Sequence, residues 1–197
     1  MQKRLVDTTL VLENIAKHVK LSEGEEARFI SLLSEKKLHK REVLHKEGEI
    51  CRHSAFVTDG ALKGYSVDKT GGEHVLNFAV SGWWIADMYS LFSKRPGVII
   101  IEALADSRVL LLSRDSQEIL FNEVPKLERF FRILVENSLV ANQQRLLDNL
   151  SLSAEDRYLS FIKKYAFVLQ CAPLHTIASY LGITPEFLSK IRRNISQ

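Results

Sequence analysis

Residues 174–193 read LHTIASYLGITPEFLSKIRR, and this stretch leaves few folds open. Ile177, Ala178 and Leu181 place one small and two large apolar residues on the inner face of a helix. Gly182 follows where a tight helix-to-helix turn requires left-handed backbone. Ile183 then points inward, Thr184 is a good N-cap, Pro185 takes the first helical position, and Leu188 and Ile191 supply the next inner face at i, i+3. Ala178, Gly182 four residues later and Leu188 six after that have the spacing of a helix-turn-helix, close-packed at the alanine and cornered at the glycine. Such a unit lays its second helix in the major groove of double-stranded DNA with its N-terminal side chains at base edges. The outward positions are Pro185, Glu186, Ser189, Lys190 and Arg193, with Thr184 at the helix start facing phosphate. Glu186 suits a cytosine amino group, and Lys190 suits guanine or a phosphate.

Charge supports the same end of the chain. The 197 residues carry 27 Lys and Arg against 24 Asp and Glu, a net charge of +3. Residues 151–197 hold six basic groups (Arg157, Lys163, Lys164, Lys190, Arg192, Arg193) against Glu155, Asp156 and Glu186, so the remainder is balanced. The whole excess therefore coincides with the bihelical motif, as expected of a polyanion-facing unit.

Upstream, the Ser22 and Glu25 pair forms a capping box, and Phe29, Leu32 and Leu33 recur at helical spacing, so a helix is predicted over 22–36, preceded by a short one around 8–18. From about residue 38 the period changes to two. Segments such as SAFVTDGALKGYSVD and EHVLNFAVSGWWIA alternate with turn residues at Asp59-Gly60, Lys69-Thr70-Gly71-Gly72 and Asp106-Ser107, which predicts a small antiparallel roll. Asp115 with Glu118 caps a short helix to about Asn122, and Pro125 stands in the first turn of a long one. On that helix Phe131, Leu134, Val135, Ser138, Leu139, Asn142, Leu146 and Leu150 share a face, more stripe than one roll can cover. Residues 125–150 are therefore expected to pair with a second copy, with the polar Asn142 setting register. A break at Ser151-Leu152-Ser153 precedes a helix capped by Ser153. The predicted fold class is α+β: a jelly-roll-like sensory roll over 1–123 flanked by helices, a long dimerisation helix over 124–150, and an all-α helix-turn-helix domain over 151–197.

With these parts in this order, the chain resembles the Crp/Fnr superfamily of bacterial transcription regulators, and the likeness covers nearly its whole length. SAEDRYLSFI leading into IASYLGITPEFLSKIRRN, together with WWIADMYSLF, is similar to the short Crp/Fnr-type regulators of Bacteroidetes-type bacteria. The resemblance implies a cyclic-nucleotide-binding-like roll, a homodimer, a palindromic DNA site and RNA polymerase as a further partner. In nucleotide-binding members a Gly-Glu pair and an Arg ten residues later hold the ribose and the cyclic phosphate. Counting back from Ala103 places Ala86-Asp87 on the Gly-Glu pair and Gly97 on the Arg, with Arg95 two residues early. An unpaired buried phosphate is costly, so the resemblance carries no tight cyclic AMP site here. A different small effector would meet Trp84, Asp87, Met88, Tyr89 and Arg95, with Trp83 beside them and Asn142 and Gln143 reaching in from the long helix. The family usually follows its recognition helix with a β-hairpin wing, and only residues 194–197 follow here, so weaker and less salt-sensitive DNA binding is expected. That short tail also keeps open an alternative, a ligand-binding or protein-interaction module whose helix-turn-helix is vestigial.

Other chemistries find no pattern. Cys51 and Cys171 are far apart, with no C-x-x-C, so neither a disulfide framework nor a zinc or iron–sulfur site is expected. The six histidines include no His-x-His pair of a cupin metal site, and His39 and His45 read as surface polar positions. His74 has no haem signature around it. No P-loop, dinucleotide fingerprint or G-x-S-x-G occurs, so no enzyme, metal or certain cofactor is expected. The N-terminus MQKRLVDTTLVLENIAKHV alternates charged and apolar residues without a leader pattern, and no apolar run approaches the ~18 residues of a span. A cytoplasmic protein without membrane contact is the expectation.

Overall fold

The computed structural model describes residues 7–195. Residues 1–6 and 196–197 lie outside them, and with these the start of the segment read as leaderless and the last two positions of the short tail. The described elements run α1 (Thr9–Ala16), α2 (Glu23–Ser31), β1 (Leu33–Leu38), β2 (Val43–His45), β3 (His53–Asp59), β4 (Ala61–Val67), β5 (Glu73–Val80), β6 (Trp84–Ile85), α3 (Met88–Ser93), β7 (Ile100–Ala103), β8 (Ser107–Ser113), α4 (Arg114–Glu123), α5 (Pro125–Ser151), α6 (Ala154–Lys164), α7 (Ala166–Cys171), α8 (Leu174–Leu181) and α9 (Pro185–Ile195).

Two antiparallel four-stranded sheets, ordered β1-β8-β3-β6 and β2-β7-β4-β5, face each other as a roll. Its interior holds Ala55, Val57, Leu62, Ala79, Ile101 and Val109. Both sheets are covered outside as well. Phe56, Leu110 and Leu112 turn outward under Val11, Ile15, Phe29, Leu127 and Phe130 of the helices. Ala61, Tyr65, Val75 and Phe78 turn outward under Tyr158, Phe161, Tyr165 and Ile177. Burial on both faces explains why SAFV and ALKGY read as nearly continuous buried runs rather than clean alternation.

Local chemistry sets several ends. Ser22 and Glu25 make the capping box of α2 in both directions, 3.4 and 2.7 Å. At the β4–β5 turn the Asp68 carboxylate accepts the N–H groups of Thr70 and Gly72 at 2.8 and 2.9 Å, so residues 69–72 are a hairpin turn. Pro125 begins α5 at its first turn, and Ser153 caps α6 by accepting the Asp156 N–H at 3.1 Å.

Three expectations are corrected. The helix predicted over 22–36 stops at Ser31, because residues 33–38 pair along their whole length with β8, from Leu33 opposite Leu112 to Leu38 opposite Ser107. Six ladder positions outweigh the helical spacing of Leu32 and Leu33. The cap of α4 is Ser113, whose hydroxyl accepts the Ser116 N–H at 3.0 Å; Asp115 lies in the first turn, where its charge suits the helix dipole. The stretch between α6 and α8 folds into a further short helix, α7, that the spacing did not announce.

The C-terminal helices dock on the outer face of β4 and β5. Phe78 packs within 5.1–5.9 Å of the Phe161, Tyr165 and Tyr180 rings. Ser179 of α8 accepts the Val75 N–H at 2.9 Å and donates to the Glu73 carbonyl at 2.6 Å. Arg145 of α5 lies 4.3 Å over the Tyr180 ring and donates to the carbonyls of Val75 and Leu76.

Two phenols in this seam resist ionisation. Burial first, then the hydrogen bond to Glu102, pushes Tyr65 far up, and burial with the Tyr180 hydroxyl beside it does the same to Tyr165. A tyrosine whose pKa is raised by folding adds stability that is complete below the unfolded value of about 10 and is lost as pH climbs above it. In a spectrophotometric titration of the five tyrosines, two are expected to stay protonated past about pH 11 and to ionise only as helical signal disappears. Smooth release of all five near pH 10 would contradict the packing.

Candidate functional site

The corner between α8 and α9 is built from devices a few residues long. Gly182 sits at φ +67°, and the Ile183 N–H reaches back to the Ala178 carbonyl at 3.0 Å, closing α8. The Thr184 hydroxyl accepts the Phe187 N–H at 3.2 Å, so α9 starts capped, with Pro185 in its first turn. Ile177, Ala178 and Leu181 from α8 and Leu188 and Ile191 from α9 are buried together, and the alanine lets the two backbones approach.

Of the six side chains expected to face DNA, Thr184, Glu186, Lys190 and Arg193 are exposed. Glu186, Lys190 and Arg193 recur at i, i+4 and i+7 and therefore share one strip of α9. Pro185 and Ser189 are half-buried, and the Ser189 hydroxyl donates back to the Pro185 carbonyl at 2.9 Å. Phe187, absent from the expected set, is exposed to 46%. Angular position alone would not have found it, since Phe187 stands about 100° from Leu188 but only about 40° from the buried Ile191 around the helix.

The expected effector residues divide. Trp84, Met88 and Asn142 line a groove of about 960 Å³ between the roll and α5, together with Trp83; Asp87, Tyr89, Arg95 and Gln143 do not. Trp84 packs between Phe56 and Phe131, ring centroids 5.2 and 5.3 Å away, so it is wall and core at once. Three residues on the groove wall, Asn14, Asn77 and Trp84, each hold a buried polar atom without a hydrogen-bond partner.

Asp87 points elsewhere. It is 1% exposed, caps α3 by accepting the Ser90 N–H at 3.0 Å, and accepts the N–H groups of Val98 and Ile99 at 2.8 and 3.2 Å. The carboxylate expected to meet a ribose is thus buried, with one oxygen capping α3 and the other fastening the loop before β7. Gly97, at the position of the family's phosphate-binding arginine, admits no side chain in place: a Cβ there would stand 2.5 Å from His45 Nε2, 2.8 Å from Asp87 Oδ2 and 3.0 Å from the Glu49 carbonyl. Arg95 is exposed at the loop surface, its carbonyl accepting from Ser90 Oγ at 2.6 Å. His45 is a correction too: it is buried, 3.7 Å from the Asp87 carboxylate, because β2 turns it toward α3, whereas His39 is at the surface as expected. His74 bonds to Asp68 at 2.7 Å. Among the described residues no three His, Cys, Asp or Glu side chains gather as a metal site.

The surface of α5 changes along its length. Leu127, Phe130 and Phe131 are buried under the roll's helices, while Leu139, Val140, Leu146, Leu147 and Leu150 are 57–78% exposed.

Comparisons with known proteins agree with this layout. Residues 35–123 match the cyclic nucleotide-binding domain family. Over 184 residues, 87% of its length, the chain is 26% identical to the anaerobic regulatory protein of Pasteurella multocida and covers 66% of that protein. Across an equal stretch it is 24% identical to the regulatory protein HlyX of Actinobacillus pleuropneumoniae, covering 75% of it. The chain thus spans about two thirds to three quarters of these relatives. Among solved structures, FixK2 from Bradyrhizobium japonicum has a similar fold, with a TM-score of 0.73 at 22% identity over 83% of this chain and 84% of that one.

Proposed function

We propose that this chain is a transcription regulator of the Crp/Fnr type and acts as a homodimer reading a palindromic DNA site with its two α9 helices. The observation that carries this reading is the α8–Gly182–α9 corner, which presents Glu186, Lys190 and Arg193 on one exposed strip at the basic end of the chain. The exposed leucines in the second half of α5 support pairing with a second copy, since an apolar stripe of that length in water favours burial. In this division residues 1–123 sense, 124–150 join the copies and 151–197 read DNA, with RNA polymerase as a further partner.

Catalysis has no part in this reading, for the named relatives are regulators. The cytoplasm, where a regulator meets its DNA, is the proposed location; no described helix is long and apolar enough to cross a membrane.

A cyclic nucleotide does not fit the residues present. Asp87 is 1% exposed with both carboxylate oxygens turned onto backbone N–H groups, and Gly97 offers neither a cation nor room for one. We infer that any effector binds in the groove beside α5 instead, where Trp83, Trp84 and Met88 give an apolar wall and unpartnered polar atoms offer hydrogen bonds.

The test is selection of DNA from a randomised pool by the purified full chain. Enriched sequences are expected to contain two inverted half-sites about one helical turn apart, roughly 34–36 Å centre to centre. Affinity should fall as salt rises and stay unchanged with added cyclic AMP. A pool without enrichment would overturn the DNA-reading proposal; tighter binding with cyclic AMP would overturn the ligand reading.

A further inference from the structure

Phe187 is the one large apolar side chain exposed in the first turn of α9, next to Glu186 and three residues before Lys190. Around the helix its ring lies about 60° from Lys190 and about 40° from the buried Ile191, so it stands at the margin between the polar strip and the buried face, with part of its surface left open. The Thr184 hydroxyl accepts the Phe187 N–H at 3.2 Å, which caps the first turn of α9 from which the side chain leaves. A half-exposed phenyl gains little from its own chain, and scattered exposed apolar residues are ordinary on protein surfaces. This one stands where a recognition helix presents side chains to base edges. The major groove offers one apolar group at those edges, the C5-methyl of thymine, which phenylalanine is able to cover.

We propose that Phe187 reads a thymine in each half-site by packing on its methyl group, adding apolar selection to the polar contacts of Glu186 and Lys190. The proposal rests on the DNA-reading function above. It assigns the half-site a thymine beside the base pairs that Glu186 and Lys190 meet, and gives Phe187 no part in pairing the two copies.

The experiment uses the site selected from the pool, with each thymine replaced singly by deoxyuridine, which removes only the methyl. The wild-type chain is expected to lose about fourfold in affinity at one symmetric thymine, the value of one buried methyl. Phe187→Ala should bind the thymine and uracil sites alike at that position, and Phe187→Leu should keep part of the preference. Thermal melting and sizing should match the wild type, because the ring is half exposed. The proposal is overturned if the wild type ignores deoxyuridine everywhere, or if Phe187→Ala keeps the wild-type preference. Failure of every form to bind DNA removes the function on which it rests, a different result from binding without methyl discrimination.

Discussion

Lys190→Glu is expected to lower affinity for the selected DNA site by about two orders of magnitude or more, while melting temperature and dimer size stay unchanged. A lost base or phosphate contact accounts for about 1–3 kcal/mol, and the new carboxylate adds repulsion from the phosphates. The fold has no stake in the residue, since Lys190 is exposed and its side chain holds no ion pair among the described residues. Titration by fluorescence anisotropy at two salt concentrations measures the effect. If Lys190 neutralises a phosphate, the slope of log affinity on log salt should shrink by about one unit in Lys190→Met. A loss under tenfold in Lys190→Glu would mean that α9 does not lie in the groove along the Glu186–Lys190–Arg193 strip.

Asp87→Ala should destabilise the roll by about 2–4 kcal/mol and lower the melting temperature by about 5–15 °C. The sum has two parts. Loss of the α3 cap costs about 1 kcal/mol, and the stranded N–H groups of Val98 and Ile99 cost about 1–3 kcal/mol more. Asp87→Asn keeps one acceptor oxygen and should lose about half as much. Denaturant unfolding of the two variants makes the comparison, and a loss below about 0.5 kcal/mol in Asp87→Ala, the size of a surface substitution, would remove Asp87 from this role.

The bihelical corner was legible in the sequence because every device in it acts within a few residues: a glycine at positive φ, a threonine cap, a proline in the first turn, inner residues at i, i+3. The roll was legible from short apolar runs set between turn residues, among them the hairpin turn at Lys69-Thr70-Gly71-Gly72, whose organiser Asp68 only the structure shows. What escaped depends on distant partners. Leu33 is helical by spacing and a strand by its pairing with Leu112. Counting residues against a family pattern places Asp87 at the right point of the chain, yet gives no direction for its carboxylate, which three backbone donors settle. His45 was read as surface because polar residues usually are; β2 turns it under α3. Phe187 was not singled out, and the angle around α9 places it between the buried Ile191 and the exposed Lys190, so only the tertiary packing reveals that it is exposed. The groove owes its walls to α1, β5, β6 and α5 together, and no local pattern announces such a meeting.

The docking of α8 on β5 has a consequence for solubility. β5 is an edge strand, and its outward backbone groups would be a template for strand addition by another chain. Ser179 and Arg145 occupy those groups at Glu73, Val75 and Leu76, so side chains of the reading unit and of the long helix stand where a ninth strand would otherwise pair. Any swing that carries α8 off the roll uncovers part of that edge. Displacement of α8 would thus expose a strand edge, and substitutions that loosen Ser179 from β5 carry a risk of fibrous or domain-swapped assembly that DNA-binding assays alone would not reveal.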